Sequence, residues 1–354
     1  MDPGLSPIGP EQVRTLLAGV DTGRNSRTAE SLLLSTLGYI TDQPDPLDLK
    51  IAAAVVAEMR EAARTFAPYR ETPKVTVFGS ARTKLGDPLY QHAYQIAHDL
   101  ASVGWMVVTG AGPGIMQAAM EGAGRENSFG VSIRLPFEQG ANPVIAGDEK
   151  YVSMKYFFTR KLMLVKESRA FVCLPGGFGT LDETFELLTL TQTGKGLPAP
   201  IVLLDLPGDD YWKTVHAFVT EQLVTRGLVS EADTGLYVLT DSCATASDEI
   251  TRFYSNYDSI RYVGDHLVIR LRQSPSDEQI DELNASFGHL VSSGRIARVD
   301  PFPEEIRHDD HVGLPRIGFE FVKHRSGDLR AMINMLNGFT PQASSPPPEE
   351  PSSS

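Results

Sequence analysis

Short apolar runs alternate with helix-like segments from Lys74 to about Leu206, and this alternation limits the fold more than any other feature of the sequence. The runs read KVTVFG, WMVVTG, FGVSIRL, AFVCLPG and PIVLLDL, and stretches with helical spacing of apolar residues separate them. Strands that are apolar on both faces are typical of a parallel sheet covered by helices on either side. A sixth run, GLYVLTD, and a helix from about Ala244 to Tyr257 would complete this core. We therefore predict an α/β fold with a Rossmann-like doubly wound parallel sheet.

The segments on either side of this core have different patterns. Residues 1–70 contain stretches with apolar residues three and four apart, so we predict an N-terminal helical cap before a core at 71–258. Residues 259–340 read as β-α-β-β-α, which indicates a small C-terminal α+β appendage. The last segment, 341–354, is rich in Pro, Ser and Glu and has little to bury, so we predict a disordered tail.

Charge and cysteine content argue against several classes of function. A net charge of −13 disfavours a surface for nucleic-acid polymers or anionic membranes, which needs clustered Lys and Arg. The N-terminus lacks a signal-peptide pattern, and no apolar run approaches the roughly 18 residues that span a bilayer. The two cysteines make no disulfide framework or metal-ligand spacing, and the RHDDH segment is interpreted as a solvated loop. We expect a soluble, cytoplasmic protein without a metal.

Three glycine-rich loops follow predicted strands, at the edge of the sheet where open α/β proteins bind ligands. In the first loop, FGSART, Ser80 offers a hydroxyl and Arg82 could pair with a phosphate. In the second, TGAGPGIM, the backbone at Gly112 and Gly114 could contact a phosphate or ribose at the start of a helix. Close packing of helix on strand explains these glycines equally well. Their spacing departs from the dinucleotide fingerprint, so NAD is not predicted.

The third loop lies in the stretch CLPGGFGTLDETFELL. Gly176, Gly177 and Gly179 bring unobstructed backbone N–H groups to the start of a helix, where unpaired donors and the positive end of the helix dipole favour an anion. The Thr180 hydroxyl could add another hydrogen bond. We therefore predict an anion-binding turn.

The helix that follows this turn has an apolar side and an acidic side. Leu181, Phe185 and Leu188 fall within a narrow arc, so we predict that they face the core. Glu183 and Glu186 then lie on the opposite side, where acids near a helix N-terminus are usually a solvated face stabilised by the dipole.

The string PGGFGTLDE at residues 175–183 matches the PGGxGTxxE signature of the LOG (Lonely Guy) family, and the chain resembles that family from about Lys74 to Tyr257. The resemblance includes GAGPGIM before the motif, the pair Arg160 and Lys161, and TLTQTGKG after it. The N-terminal helices and the C-terminal appendage are similar to the longer bacterial form of the family.

The resemblance implies the activity of a nucleoside 5'-monophosphate phosphoribohydrolase, with cytokinin riboside monophosphate or AMP as substrate. By position, Arg160 and Glu183 correspond to the family's proposed catalytic pair. The histidines show no metal-ligand pairing, and we predict no cofactor. A carboxylate beside C1' would stabilise the oxocarbenium-like charge that develops when an N-glycosidic bond breaks. The glycine turn would hold the phosphate and so anchor the ribose against Glu183.

Several roles stay open at this level. Arg82, Lys161 and Glu186 are candidates for the substrate pocket, and either Asp182 or Glu186 could give the leaving base its proton. The base preference is open between a cytokinin and plain adenine. The resemblance also implies at least a homodimer with the pocket near the subunit interface.

Two alternatives lead to different functions. Carriers of molybdenum cofactor resemble the same fold and glycine motif, so a non-enzymatic carrier or sensor of a nucleotide-like ligand is the main rival. Retention of Arg160 and Glu183 argues against it, because a carrier needs no such pair. The appendage could instead gate an active core. A PLP-dependent decarboxylase is disfavoured, because no lysine is framed as a Schiff base.

Overall fold

The computed structural model describes residues 9–134 and 140–339, so the predicted tail at 341–354 lies outside the described residues. The chain divides into two compact units, residues 1–63 and 64–354. The first unit contains the helices α1 (Pro10–Leu17) and α2 (Ser26–Thr41) and most of α3 (Pro46–Phe66). Within it, Arg14 of α1 and Glu30 of α2 form an ion pair at 2.9 Å.

The second unit is built on a parallel sheet of seven strands, and the α/β prediction is confirmed. Its strands are β1 (Lys74–Phe78), β2 (Met106–Thr109), β3 (Ser128–Ile133), β4 (Tyr151–Met154), β5 (Ala170–Cys173), β6 (Ile201–Leu204) and β7 (Val238–Thr240). Sequence reasoning missed β4, because YVSM is short and its residues alternate between buried and half-buried. Most of the other strands are buried along their whole length, as expected of a sheet covered on both faces.

Helices cover the sheet between its strands. They are α4 (Pro88–Ser102), α5 (Ile115–Ala123), α6 (Phe157–Lys166), α7 (Phe178–Gln192), α8 (Tyr211–Phe218) and α9 (Cys243–Arg252). The start of α4 shows how the sequence sets such a boundary: Asp87 accepts a hydrogen bond from Leu89 N at 2.8 Å, and Pro88 occupies the first helical position. The buried faces of α4, α5 and α9 pack on Val75, Val107 and Val172 of the sheet in one hydrophobic core.

The strand order, β4-β3-β2-β1-β5-β6-β7, determines where a ligand can bind. The chain extends the sheet from β1 in one direction as far as β4 and then crosses back to add β5 on the other side of β1. Loops leaving β1 and β5 therefore diverge and open a crevice beyond the carboxyl ends of these two strands. The FGSART and PGGFGT loops lie at this point.

The appendage is an antiparallel sheet with the order β10-β11-β9-β8. Its elements are β8 (Tyr257–Val263), β9 (His266–Leu271), α10 (Asp277–Phe287), β10 (Val291–Arg298), α11 (Pro303–His308), β11 (Arg316–Phe321) and α12 (Ser326–Gly338). The predicted β-α-β-β-α order missed β8 and α11. The helix before the appendage was predicted to extend to about Tyr257. In the structure α9 ends at Arg252 and Tyr257 begins β8.

The helix α12 joins this appendage to the core. Ser326 Oγ donates to the carbonyl of Gln192, the last residue of α7, at 2.9 Å. Arg330 Nη1 donates to the carbonyl of Ala199 at 3.1 Å. The appendage therefore holds the C-terminal end of the helix whose N-terminal end carries the glycine turn.

Two further properties concern the part of the chain that the structure describes. Within residues 9–134 and 140–339, every helix is too short or too polar to cross a membrane. In the same ranges, His, Cys, Asp and Glu side chains form no group of three or more suited to a metal ion.

Candidate active site

A cleft of about 640 Å³ lies at the crevice between the loops of β1 and β5, and we call it the main cleft. It is lined by Val77, Phe78, Gly79, Ser80, Ala81, Arg82, Gly110, Met116, Arg160, Gly176, Gly177, Phe178, Gly179, Thr180, Leu181, Glu183 and Tyr211. Its volume lies within the range of small-molecule sites, about 300 to 1,000 Å³. The topology, the glycine turn and the predicted Arg–Glu pair thus meet in one place.

The three glycines of the turn have different structural roles. A Cβ on Gly176 would overlap Thr180 Oγ1 and lie 3.0 Å from Ser80 N, so glycine is needed here to let the two loops approach. Gly177 and Gly179 instead border open space. Tyr211 Oη donates to the Gly176 carbonyl at 2.7 Å and fixes the turn from the side of α8.

The first turn of α7 offers an anion site. The backbone N–H groups of Phe178, Gly179 and Thr180 have no acceptor within the helix, because the first turn never does. Gly177, the N-cap residue, has no side chain to cap them. These donors and the helix dipole favour a phosphate at the floor of the cleft. Thr180 is 5% exposed and lines the same floor.

The structure brings Arg160 and Glu183 together in the main cleft. Arg160 Nη1 of α6 donates to Glu183 Oε1 of α7 at 3.0 Å, and the two side chains are only 11% and 13% exposed. Arg160 Nε also donates to the Val131 carbonyl at 3.0 Å, which fixes the guanidinium against β3. The pair is therefore held from three elements of the core.

Burial has the largest influence on the ionisation of Glu183. It raises the pKa of this carboxyl above its ordinary value, while the charges of Arg160 and Lys161 and the Arg160 hydrogen bond act in the opposite direction. A partly dehydrated carboxylate with one hydrogen-bonded cation is typical of groups that do chemistry. The hydrogen bond from Arg160 engages Oε1 of this carboxyl, and the residue lines the main cleft.

The prediction for the buried face of α7 was wrong. Thr180, Thr184 and Leu187 are the buried residues, whereas Leu181, Phe185 and Leu188 are half-buried. Small threonines let the helix lie close to the sheet, and Thr184 Oγ1 donates back to the Thr180 carbonyl at 2.7 Å. Glu183, which the resemblance to the LOG family implies is catalytic, lines the main cleft.

The other predicted residues fall into two groups. Ser80 and Arg82 line the main cleft, and Gly112 lines a smaller cleft beside it. Gly114 is not in the lining of either cleft: its φ is +68°, and a Cβ there would overlap the backbone of Ser80 and Ala81. Its role in the structure is therefore close packing of α5 on the first loop.

Lys161 and Glu186 are likewise absent from the lining of both clefts. Lys161 Nζ pairs with Asp182 at 2.7 Å and with Glu186 at 2.8 Å, which ties α6 to α7 outside the clefts. The structure therefore gives these three residues a bracing role beside the catalytic candidates.

Sequence reasoning did not assign Tyr211 or Gly110 to the site. Tyr211 follows β6 by several residues and carries no motif, so only the fold places it against Gly176. The sequence analysis noted Gly110 as part of TGAGPGIM but assigned it no role. In the structure glycine is needed at this position, because a Cβ there would overlap Arg160 Nη2. Arg160 lies on α6, two strands further along the chain, so only the tertiary structure shows that it approaches Gly110.

A family model described as possible lysine decarboxylase matches residues 114–250. A probable cytokinin riboside 5'-monophosphate phosphoribohydrolase of Oryza sativa subsp. japonica is 30% identical over 101 residues, 28% of this chain and 46% of that protein. Another rice protein of the same description is 31% identical over 132 residues, 37% of this chain and 54% of that protein. A cytokinin riboside 5'-monophosphate phosphoribohydrolase of Arabidopsis thaliana is 25% identical over 183 residues, 52% of this chain and 78% of that protein.

The resemblance to the LOG family is confirmed. The chain spans about half the length of the two rice relatives, 46% and 54%. The activity in these descriptions is therefore that of the relatives, and for this chain it is a proposal.

Solved structures give more distant matches. The molybdenum cofactor binding protein of Rippkaea orientalis aligns with a TM-score of 0.37 at 20% identity, covering 51% of this chain and 96% of that one. The molybdenum cofactor carrier protein of Chlamydomonas reinhardtii aligns with a TM-score of 0.34 at 21% identity, covering 51% and 98%. Scores this low do not bear on function.

Proposed function

We propose that this chain hydrolyses the N-glycosidic bond of a nucleoside 5'-monophosphate to a free base and ribose 5-phosphate. The observation that carries the proposal is the buried pair of Arg160 and Glu183 at 3.0 Å, in the same cleft as the open N-terminal turn of α7. The names of the relatives support the reaction class. A cytokinin riboside monophosphate and AMP are the first substrates to test.

The reaction needs charge stabilisation at C1' and an oriented water. The bond between C1' and the base nitrogen breaks with its electron pair going to the base, and the ribose becomes oxocarbenium-like. The Glu183 carboxylate stabilises that charge and accepts a proton from the water whose oxygen bonds to C1'. The base takes up one proton from solvent and Glu183 returns the proton that it accepted, so the net reaction adds OH to C1' and H to the base.

The glycine turn acts at a distance from the broken bond. A phosphate on the N–H groups of Phe178, Gly179 and Thr180 ties down the ribose end of the substrate. Glu183 is in the next turn of the same helix, so the phosphate and C1' are positioned by one rigid element. Binding energy at the phosphate thus serves to orient the sugar.

Arg160 keeps Glu183 ionised and oriented. The guanidinium opposes the rise in the Glu183 pKa that burial causes, and it holds Oε1 so that the other oxygen faces the substrate. Removing its charge would leave Glu183 protonated at a higher pH.

The direct test incubates the full-length protein with AMP and with N6-isopentenyladenosine monophosphate, and follows free base and ribose 5-phosphate by chromatography. Glu183→Gln is the test variant. We expect it to lower kcat by about 1,000-fold, the scale of a general base together with charge stabilisation, while nucleotide binding persists. Glu282→Gln, a matched change on the exposed side of α10, is the control and should leave kcat unchanged.

The outcomes separate the enzyme from its main rival. Release of base by the wild type and its loss in Glu183→Gln supports the hydrolase. Tight binding of a nucleotide without any cleavage would instead favour a carrier or sensor, and Glu183 would then be a structural acid.

We also propose that the chain forms at least a homodimer. The helix α6 turns Arg160 inward and leaves Phe157, Phe158 and Leu162 about half exposed, at 55%, 54% and 48%. Apolar side chains of this size on one exposed helix face are typical of an interface. Light scattering after size exclusion tests this directly: we expect at least a dimer for the wild type and dissociation in Phe158→Glu, and a monomeric wild type would contradict it.

The cytoplasm is the proposed compartment. The thiols of Cys173 and Cys243 are both free and buried, as suits a reducing environment. Fractionation of the native host with an antibody to the protein would test it.

A further inference from the structure

A second cleft of about 310 Å³, which we call the side cleft, adjoins the main cleft. It is lined by Ala81, Gly110, Ala111, Gly112, Pro113, Met116, Ser132, Ile133, Arg134, Gly140, Tyr151, Ser153 and Arg160. Ala81, Gly110, Met116 and Arg160 line both clefts, so the two spaces meet there. The side cleft is lined by the loop after β2 and by residues of β3 and β4, whereas the phosphate turn follows β5.

The described residues that line the side cleft carry charge of one sign. Arg134 and Arg160 are its charged lining residues, and among the described residues that line it there is no carboxylate. Glu183 belongs to the main cleft and is already paired with Arg160. Among the described lining residues, a ligand group therefore meets positive charge alone.

The polar side chains of the side cleft are arginines and hydroxyls, all of which can donate a hydrogen bond to a ligand. Ser153 Oγ accepts from Arg134 Nε at 3.3 Å, so the hydroxyl proton of Ser153 remains available to a ligand. Ser132 Oγ and Tyr151 Oη share one hydrogen bond at 2.7 Å, which leaves one of their two protons free. Arg134 Nη2 donates to the Ser153 carbonyl at 2.9 Å, and Nη1 has no partner among the described residues.

We infer that the side cleft is the subsite for the leaving base and that it selects a 6-oxopurine over adenine or an N6-prenylated adenine. This inference rests on the proposed function. With the phosphate at the start of α7 and C1' at Glu183, a base directed past Arg160 enters the side cleft. A 6-oxopurine presents two adjacent acceptors, O6 and N7, which suit an arginine and hydroxyl donors.

The disfavoured bases lack this match. Adenine presents an amino group, itself a donor, where the 6-oxopurine presents O6. A prenyl chain on that amino group would place apolar surface against Arg134 and the three hydroxyls. The Arg134 guanidinium only donates, so it is left unpaired opposite the adenine amino group, and this unpaired donor disfavours adenine.

The test compares kcat/KM of the full-length protein for IMP, GMP, AMP and N6-isopentenyladenosine monophosphate. We expect IMP and GMP to exceed both adenine nucleotides by about tenfold or more, the effect of one or two hydrogen bonds. Arg134→Ala should lower kcat/KM for IMP by about tenfold and leave that for AMP within about twofold. Arg226→Ala, a matched change at an exposed position outside both clefts, is the control.

Each outcome bears on a separate claim. If AMP or the prenylated nucleotide is cleaved best, the hydrolase stands and the subsite inference is overturned. If Arg134→Ala lowers all four values equally, the side cleft does not select the base, and the inference is again overturned. If the wild type cleaves none of the four, the proposed function fails and this inference fails with it.

Discussion

Glu183 and Glu305 are both held by arginines, but they differ in the number of donors that each receives. Glu183 accepts one hydrogen bond, from Arg160, and lines a cleft. Glu305 is fully buried: its Oε1 accepts from Arg270 at 2.7 and 3.1 Å and from Arg316 at 2.8 Å, and its Oε2 accepts from Phe302 N at 3.0 Å.

The pKa directions follow from this difference. Burial acts to raise the pKa of both carboxyl groups. At Glu305 the backbone donor and the two arginines outweigh it, and the pKa is lowered. At Glu183 burial prevails, and the pKa is raised. A carboxylate whose acceptor sites are filled stabilises a fold, whereas one with an open oxygen in a cleft is available for chemistry.

Asp310 extends the appendage cluster. Burial opposes its ionisation, but hydrogen bonds from Arg270, His311 and Arg261 hold the pKa of this carboxyl far below its usual range. The RHDDH segment, interpreted from sequence as a solvated loop, thus supplies Asp310 as an ionic partner to the buried Arg270 of β9 and to Arg261 of β8.

Among the variants that test this comparison, Glu305→Gln should have the largest effect, on the free energy of unfolding. It removes the charge between two buried arginines, and we expect a loss of about 3 to 5 kcal/mol in the free energy of unfolding. Glu183→Gln should change the same quantity by less than about 1 kcal/mol, because its carboxylate is bound less fully. Urea unfolding measures both; equal losses would remove the distinction between a structural and a functional carboxylate.

Gly110→Ala sharpens the comparison at the main cleft. The added Cβ would overlap Arg160 Nη2 and displace the guanidinium from Glu183. We expect kcat/KM to fall by about 100-fold, the scale of a small misplacement of catalytic groups, with little change in thermal stability. Gly288→Ala, where a Cβ meets open space, is the control and should keep full activity.

The two carboxylate sites should also respond differently to pH. Because the pKa of Glu183 is raised, hydrolysis should decline as the solution is acidified at a pH above the value of about 4.3 for an ordinary glutamate. The pKa values of Glu305 and Asp310 are lowered, so their contribution to stability is complete above about pH 4 and is lost as the pH falls further. A pH–rate profile and thermal unfolding between pH 3 and 8 would show whether activity is lost first, and simultaneous loss would contradict this account.

Tyr211→Phe should give the smallest effect. It removes the hydrogen bond from Oη to the Gly176 carbonyl and loosens the phosphate turn without touching Glu183. We expect KM to rise by about fivefold, equivalent to about 1 kcal/mol for a neutral hydrogen bond, with kcat nearly constant. A fall in kcat at constant KM would instead place Tyr211 in the chemical step.

Much of the core could be predicted from local pattern. Apolar strands, helix spacing and glycine loops depend on neighbours in sequence, and they gave the parallel sheet and the stretch that becomes the phosphate turn. The strand β4 was missed because YVSM is too short to show a period, and β8 because DSIRYV mixes charged and apolar residues. Such strands are formed by pairing with distant partners.

Sequence by itself determined the chemistry that this chain can offer: an open glycine turn before a helix, with an arginine and a glutamate at fixed places on two helices. Tertiary structure decided the use of those residues. Apolar residues lie on several sides of α7, so its own sequence does not specify which side is buried. In the folded chain Thr180 and Thr184 are buried, and with α7 in this orientation Glu183 lines the main cleft. The reason is physical: the orientation of a helix follows from the shape and volume of what it packs against, which only the assembled fold supplies.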